Sequence, residues 1–313
     1  MKSNKKGSSF INEISKNKSF YGMMLPGMLF MLIVNYIPMF GLVIAFKEYN
    51  PVKGILASKW IGLKNFEFFF VSNSAFTVTF NTIFYNAIFI ITGLGFALLF
   101  SVLLQETGSK MMSSTYKSLM FFPYLLSWVV GQYILFSLLS VDKGLINNIL
   151  EFFGKEPVYW YAESRPWRFI IPLAYMWKNV GYFAVIFVAG VTGISSEYFE
   201  AAEIDGASKF QQITRITIPL IMPIVITLFL LQIGKIFYGA FGDWGMFYNL
   251  PMNSGPIFST TDVIDTYVYR SLRLMNDFGM SSAVGFYQSI VGFILVVASN
   301  LMVKKYDPDS AMY

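Results

Sequence analysis

The stretch from Glu200 to Pro219, EAAEIDGASKFQQITRITIP, is a polar segment of about twenty residues between two long apolar runs. The apolar run before it is Phe169–Val191, and the run after it is Ile218–Ala240. Each run is long enough to cross a bilayer, so the polar segment connects two spans at one face of a membrane.

The beginning of this segment predicts a helix that ends at a glycine. Ser195 or Ser196 can cap the helix with its side-chain oxygen. Glu197 and Glu200 then fall in the first turns, where the helix dipole favours acidic side chains. Gly206 ends the pattern, because glycine breaks a helix and favours a turn.

A second short helix is predicted after the glycine, since Phe210, Ile213 and Ile216 recur three residues apart and share a face. A helix, a glycine turn and a second helix form a rigid knob that suits a groove on a cytosolic protein. The residues alone leave one alternative open, which is a solvated connector without a partner.

The same segment resembles the EAA loop of binding-protein-dependent ABC importer permeases. The pattern is Glu-Ala-Ala, three residues, Gly, nine residues, Ile, one residue, an aliphatic residue and Pro. The matching positions are Glu200, Ala201, Ala202, Gly206, Ile216, Ile218 and Pro219, with Ile218 where the family usually has Leu. In that family the loop is the coupling helix that docks on an ATPase subunit. The resemblance therefore implies that the following residues couple this chain to an ATPase: Glu200, Ala201, Ala202, Asp205, Gly206, Ile216 and Pro219.

The resemblance implies an all-α integral membrane protein with six transmembrane helices, in the type I importer fold with its MetI-like transmembrane domain. It also implies a second homologous permease subunit, two ATP-binding-cassette ATPase subunits and an extracytoplasmic solute-binding protein as partners. ATP and Mg would be bound by the ATPase chains, so this chain is expected to hold no cofactor and no metal.

The composition agrees with a protein that is surrounded by membrane lipid. Hydrophobic residues make up 55% of the 313 residues and charged residues 13%, against about 25% charged in soluble domains. A soluble core would have difficulty burying 33 Phe and 6 Trp, whereas lipid can receive them. No basic stripe with interleaved aromatics accompanies the net charge of +5, so nucleic acid is not expected as a partner.

The residue types exclude most catalytic chemistry. The chain has no Cys and no His, which excludes disulfides, thiol chemistry and imidazole bases within this polypeptide. Neither Gly154-Lys155 nor Gly234-Lys235 is followed by Ser or Thr, so the chain has no Walker A sequence. We therefore expect transport without catalysis, and no catalytic residue.

The alternation of apolar and polar stretches predicts six spans. They are Phe20–Phe46, Phe80–Leu104, Ser118–Leu139, Phe169–Val191, Ile218–Ala240 and Ala283–Val303. In the second span Gly93, Ala97 and Ser101 recur every four residues, and such a stripe lets another helix approach closely.

The lysines before the first span predict the orientation, because Lys-rich segments stay in the cytoplasm. We expect a basic cytosolic tail at residues 1–19, a permease domain at 20–303 with its coupling loop at about 193–218, and a cytosolic tail at 304–313. A cleaved signal peptide is disfavoured, since the first apolar run is a full span long. The expected location is the cell membrane, plasma or inner, with several spans and both termini in the cytoplasm.

The longest predicted external segment is Phe241–Ser282. Within it, Val263, Tyr267 and Arg270 keep helical spacing. We expect a short helix that lies on the outer surface and is available to an extracytoplasmic partner. The alternative is a plug in the outer mouth.

Two further stretches resemble the carbohydrate-uptake branch of these permeases, the LplB-type polysaccharide and oligosaccharide permeases. One is NYIPMFGLVIAFKEYNP followed by WIGLKNFEFFF, and the other is FFPYLLSWVV. The resemblance implies an oligosaccharide as the transported solute.

Polar side chains within the spans indicate a solute pathway, because they are costly in a membrane. Amide and ammonium groups beside aromatic faces suit a ligand that offers hydroxyls for hydrogen bonds and C–H faces for stacking. The candidates are Lys178, Asn179, Trp177, Tyr182, Gln132, Tyr85, Asn86, Gln232, Lys235 and Tyr238.

The two lysines in this set have open alternatives. Lys235 lies near the outer end of its span and can extend to the membrane interface. Lys178 is deeper, and it can pair with a carboxylate or a carbonyl of a partner helix, or with an acidic group on the solute.

The sequence thus predicts one permease subunit of an ABC importer for an oligosaccharide. Two alternatives remain. One is an importer of the same fold for another solute, such as a peptide, an amino acid or phosphate. The other is a membrane scaffold that transports nothing.

Overall fold

The computed structural model describes residues 16–107, 109–237, 244–306 and 308. Within these residues five helices are long and apolar enough to cross a membrane, and a sixth span is a helix pair with a break. We number them span 1 (Lys18–Phe46), span 2 (Ser74–Gln105), span 3 (Lys110–Leu125 with Trp128–Leu139), span 4 (Trp167–Thr192), span 5 (Lys209–Lys235) and span 6 (Phe278–Lys305). The predicted all-α membrane fold with six spans is confirmed, with the third span broken.

Short elements connect the spans and modify their ends. Two antiparallel strands of two residues each, Lys47–Glu48 and Lys59–Trp60, follow span 1 and flank a helical turn at Gly54–Ala57. The connecting helices are Lys64–Val71 before span 2, Leu145–Phe152 after span 3, Ser196–Ile204 after span 4, and Trp244–Asn249, Phe258–Thr261 and Ile264–Arg273 before span 6. Tighter or wider helical turns occur at Leu32–Tyr36, Phe40–Phe46, Phe122–Leu125, Ile213–Thr217 and Gly255–Ile257. The predicted tails lie largely outside the described residues.

Spans 2 and 4 form the centre of the bundle. Half of the apolar stretch of span 4 is buried (50%), whereas only 6% of that of span 1 is buried. The predicted stripe of small residues explains the contact between the two central spans. A side chain on Gly93 would begin 3.3 Å from the ring of Tyr175, and Ala97 belongs to one buried cluster with Ala184 of span 4. The prediction that another helix approaches this stripe is confirmed, and that helix is span 4.

The polar segment between spans 4 and 5 begins with the predicted helix. The hydroxyl of Ser195 accepts from the backbone N–H of Glu197 and caps the helix Ser196–Ile204. Gly206 has a φ of 76°, which lies in the left-handed region that glycine adopts without strain.

The second predicted helix is also present, but it does not end before span 5. Ser208 caps the helix Lys209–Gln212 in a capping box with Gln211. The helix then continues through a wider turn at Ile213–Thr217 into span 5. The polar segment is therefore joined to the whole length of span 5 without a flexible linker.

Span 3 was predicted at Ser118–Leu139, and the structure divides it into two helices, the first of which begins earlier, at Lys110. The first helix begins at Lys110, tightens at Phe122–Leu125 and stops there. The second helix begins at Trp128, and the two halves are bent by 98°. Pro123 has no backbone N–H and lies in the tight turn, where the helix can end.

The described part of the segment between spans 5 and 6, residues 244–277, packs onto the ends of spans 2 and 4. The hydroxyl of Tyr85 donates to the carbonyl of Thr260 (2.8 Å), and the amide of Asn81 donates to the carbonyl of Asp262 (2.9 Å). A helix is present as predicted at Ile264–Arg273. It does not lie free on the surface, because Ile264, Thr266 and Ser271 are buried. The residues of this contact form the largest buried cluster at that end: Tyr85, Phe89, Trp167, Ile171, Tyr175, Met246, Phe247, Leu250, Ile257 and Val263.

Candidate functional site

A polar cavity of about 350 Å³ lies between spans 2, 3, 4 and 5 and the segment before span 6. This volume falls in the range of about 300–1,000 Å³ that small-molecule sites occupy. Its polar and phenolic side chains are Thr82, Asn86, Tyr124, Tyr175, Lys178, Asn179, Tyr182, Gln232, Lys235 and Asp265.

Six of the ten predicted pathway residues line this cavity. They are Asn86, Lys178, Asn179, Tyr182, Gln232 and Lys235. Tyr238 lies outside the described residues. The structure brings together side chains from three different spans, which sequence spacing alone does not show.

Three predicted pathway residues lie elsewhere. Trp177 is 46% exposed and lines a separate apolar pocket between spans 3 and 4, because neighbouring residues of a helix point about 100° apart. Tyr85 is fully buried and holds the segment before span 6 through Thr260. Gln132 lies on the second half of span 3, beyond the bend.

Lys178 faces the cavity from span 4, and its ammonium group is bound by the protein itself. Its Nζ donates to the backbone carbonyls of Tyr124 (2.8 Å), Pro123 (3.5 Å) and Leu126. The rings of Tyr124 and Trp128 lie 5.4 Å and 5.3 Å from the same atom. The structure thus realises the pairing with carbonyls, and these carbonyls belong to span 3 of the same chain.

The amide groups in the cavity are held by neighbouring backbone and side-chain atoms. Asn86 donates to the carbonyl of Thr82 (2.8 Å), and Asn179 donates to the carbonyl of Tyr175 (3.2 Å). Gln232 of span 5 donates to the hydroxyl of Tyr175 of span 4 (3.2 Å). Such bonds fix the direction in which each amide meets a ligand.

Two stacked aromatic pairs form walls of the cavity. The rings of Phe89 and Tyr175 are 4.0 Å apart and inclined by 7°, and those of Tyr124 and Tyr182 are 4.4 Å apart and inclined by 14°. Sequence reasoning missed Phe89, Tyr124 and Tyr175, because aromatic residues are too frequent in this chain for one of them to stand out.

Asp265 is a cavity residue that the sequence did not indicate. It lies in the first turn of Ile264–Arg273, a helix that was expected on the surface. Its carboxylate accepts a hydrogen bond from the amide of Gln288 of span 6 (2.7 Å). Burial raises the pKa of Asp265, and the bond from Gln288 opposes that shift. Two lysines, Lys178 and Lys235, and the carboxyl group of Asp265 therefore line the same cavity.

A second candidate site lies at the polar segment between spans 4 and 5. A cleft there is lined by Ala202, Asp205, Gly206, Ala207, Gln211, Gln212, Arg215 and Ile216. Four predicted coupling residues therefore lie around one cleft, namely Ala202, Asp205, Gly206 and Ile216. Glu200 and Ala201 are exposed on the first helix, and Pro219 is exposed within span 5, just after the wider turn at Ile213–Thr217.

Large apolar side chains project from this polar segment. Tyr198 is 57% exposed, Ile204 87% and Phe210 74%. Exposed apolar groups that are rimmed by charged and polar residues mark a surface for a protein partner.

A helical bundle with several spans, a polar internal cavity and a rigid, partly apolar loop defines a membrane transport protein. The chain belongs to the family of binding-protein-dependent transport system inner membrane components, which it matches over residues 6–305. The resemblance to permeases of this family, and with it the type I importer fold, is confirmed.

Two relatives from Bacillus subtilis (strain 168) match nearly the whole chain. The polygalacturonan/rhamnogalacturonan transport system permease protein YteP is 32% identical over 294 residues, which cover 94% of this chain and 90% of the relative. Protein LplB is 30% identical over 304 residues, which cover 97% of this chain and 94% of the relative. The resemblance to the LplB-type branch is confirmed.

Two solved structures share the fold. One is a bacterial ABC transporter involved in the import of the acidic polysaccharide alginate, with a TM-score of 0.85 and 27% identity over 94% of this chain and 98% of that chain. The other is a bacterial alginate ABC transporter in complex with an alginate pentasaccharide-bound periplasmic protein, with a TM-score of 0.85 and 26% identity. It covers 96% of this chain and 98% of that chain.

Proposed function

We propose that this chain is the transmembrane permease subunit of an ABC importer that translocates an oligosaccharide. The polar cavity carries the proposal, because its stacked aromatic walls and fixed amide groups offer both kinds of contact that a sugar makes. The relatives that transport polygalacturonan and alginate support an oligosaccharide over a peptide, an amino acid or phosphate.

The solute reaches the cavity from an extracytoplasmic solute-binding protein. The alginate transporter in complex with its periplasmic protein supports such a partner. In this orientation the segment before span 6 is on the outer side, and the polar segment between spans 4 and 5 is cytosolic. The tails at residues 1–19 and 304–313 flank the permease domain on the cytosolic side of the cell membrane.

The polar segment is the docking site of an ATPase subunit, which binds ATP and Mg. Its cleft and its exposed apolar side chains Tyr198, Ile204 and Phe210 suit a groove on a partner. The coupling set is Glu200, Ala201, Ala202, Asp205, Gly206, Ile216 and Pro219. Two ATPase chains serve this subunit and a second homologous permease, and the largely exposed span 1 faces that permease and lipid.

Span 5 transmits the movement of the loop to the cavity. The helical run Lys209–Lys235 has 27 residues, about 40 Å of helix, and it carries the loop cleft near one end and Gln232 and Lys235 near the other. A closure of the ATPase subunits that pulls on Gly206 therefore tilts the span that lines the cavity and switches it between inward- and outward-facing states.

Uptake by the complete complex tests the proposal. The tagged chain is purified in mild detergent with its associated subunits, reconstituted into proteoliposomes, and supplied with ATP inside and solute-binding protein outside. We expect uptake of labelled oligogalacturonides or neutral oligosaccharides. Uptake of peptides or phosphate in their place would favour an importer of the same fold for another solute. Recovery of the chain without any ATPase would favour a membrane scaffold.

A further inference from the structure

Lys178 is a cation that the protein has withdrawn from water. The residue is 8% exposed and lies within span 4. A buried ammonium is tolerated only where protein groups replace its hydration shell. The replacing groups are backbone carbonyls of Pro123, Tyr124 and Leu126 of span 3.

These carbonyls lie at the break of span 3, and that of Pro123 also accepts from the backbone N–H of Leu126 (3.2 Å) in the tight turn. The backbone becomes extended at Leu126 (ψ 140°) and at Ser127 (ψ 156°), so the helical hydrogen-bond pattern of the first half does not continue beyond this point. Unpaired carbonyls within a membrane are costly. Lysine matches the need, because its ammonium has three donors and its charge is favoured at the C-terminal end of a helix.

Gly181 provides independent evidence that span 4 packs closely against the break of span 3. A side chain on Gly181 would begin 1.8 Å from the carbonyl oxygen of Met120, so only glycine permits the contact. Gly181 lies three residues after Lys178 and hence on the same face of the helix. The backbones of spans 3 and 4 therefore touch one turn away from the bound ammonium.

The end of the first half of span 3, which Lys178 binds, also forms part of the cavity wall. Tyr124 lines the cavity, accepts from Lys178 through its carbonyl, and stacks on Tyr182 of span 4. A change in the geometry of the break would move this ring. It would also change the direction of the second half of span 3.

We propose that Lys178 is a positioning residue of the transport pathway. Its charge holds the 98° break of span 3 and thereby places Tyr124 in the cavity wall, and it does not serve as the ligand of an acidic solute. The consequence for transport rests on the proposed function, whereas the geometry of the break can be measured without any solute.

Spin labels on the two halves of span 3 test the proposal directly. The chain has no Cys, so Leu119→Cys and Tyr133→Cys provide two unique sites in it, one before and one after the break. Both native side chains are exposed, at 65% and 67%. Electron-spin distance distributions are recorded on the reconstituted complex, with cysteines of the other subunits replaced.

We expect one narrow distance distribution with Lys178 and with Lys178→Arg, and a broad one with Lys178→Met. Lys235→Met is the matched control, because Lys235 faces the same cavity and does not bind the break. A narrow distribution in Lys178→Met would overturn the proposal. If that variant cannot be recovered, Lys178→Gln takes its place, and an unchanged distribution there would overturn it as well.

Uptake kinetics separate positioning from solute binding. We expect Lys178→Met to lower the maximal uptake rate at least tenfold, with recovery in Lys178→Arg. A KM that rises for acidic oligosaccharides at an unchanged maximal rate would overturn the positioning role. If the wild-type complex transports no oligosaccharide while the broadening is observed, the proposed function fails and the role of Lys178 in the break stands.

Discussion

The side-chain amide of Gln232 donates to the hydroxyl of Tyr175 over 3.2 Å, and this bond joins span 5 to span 4 at the cavity. The ring of Tyr175 stacks on Phe89 of span 2 at 4.0 Å. One side chain thus ties three spans together in the wall of the cavity. A movement that separates spans 4 and 5 must break this hydrogen bond or draw the side chain of Tyr175 towards span 5.

Substitutions at Tyr175 separate the hydroxyl from the ring. Tyr175→Phe keeps the stack on Phe89 and removes the bond to Gln232, so we expect a loss of about 1 kcal/mol of stability. Tyr175→Ala also removes the ring from a buried site and should cost about 3–5 kcal/mol. Thermal unfolding of the purified complex measures both, and equal losses would contradict a separate role for the ring.

Gly206 should respond to backbone conformation more than to side-chain size. Its φ of 76° suits glycine, and a side chain there would meet no described atom of the chain within 4 Å. Asn tolerates this conformation better than Ala, and a β-branched residue such as Val is disfavoured most. We therefore expect ATPase recovery with the chain to fall in the order Gly, Asn, Ala, Val, while the amount of chain in the membrane stays similar.

The order of the Gly206 variants distinguishes two causes. If the loop conformation matters, Gly206→Asn keeps most of the ATPase activity of the complex. If Asn is as harmful as Val, a side chain of any kind collides with the docked ATPase, and the conformational argument fails.

The polar loop could be predicted from the sequence because its signals are local. Ser195 and Gly206 act on the few residues beside them, and both were recognised in the sequence. The break of span 3 could not be predicted, since a Pro within an apolar run is also compatible with a kinked, continuous helix. The break is held by Lys178, which is 52 residues from Leu126 along the chain.

Part of the cavity lining could also be predicted from single residues of the sequence. Polar residues within a membrane span cost free energy and therefore stand out in the sequence, so Asn86, Asn179 and Gln232 could be found. Asp265 belongs to a connecting segment, where a carboxylate is ordinary. Only the packing of that segment against Gln288 of span 6 places its carboxylate at the cavity.

A buried ion pair anchors the segment before span 6. Arg270 donates to the carboxylate of Asp262, their side chains are 11% and 8% exposed, and Arg270 lies 4.0 Å from the ring of Phe258. Arg270→Met leaves the carboxylate buried without its partner and should destabilise the protein by about 3–5 kcal/mol. Adding Asp262→Asn to this variant should restore part of the loss.

The exposed ion pair of the polar segment between spans 4 and 5 is the control for this prediction. Lys209 and Glu203 are 2.9 Å apart, with side chains 63% and 58% exposed. Lys209→Met should leave the unfolding temperature unchanged, because water and salt screen such pairs. A similar shift for Lys209→Met and Arg270→Met would show that burial does not set the effect.

Asp265 should make stability depend on pH in a defined direction. Burial raises the pKa of its carboxyl above the ordinary value of 3.8. Between these two values the folded protein keeps a proton that the unfolded chain has lost. The contribution of Asp265 is therefore fully present below pH 3.8 and is lost as the pH rises through the raised pKa.

The variant Asp265→Asn does not titrate, and it still offers an acceptor to Gln288. We therefore expect the unfolding temperature of the variant, relative to wild type, to increase with pH across this window. Glu203→Gln is the exposed control: Lys209 lowers the pKa of Glu203, but water and salt screen this pair, so the difference from wild type should stay close to zero at every pH. Thermal unfolding of the complex from about pH 4 to pH 8 measures both differences. The raised pKa of Asp262 is common to all three proteins and cancels, so a pH-independent difference for Asp265→Asn would contradict the prediction.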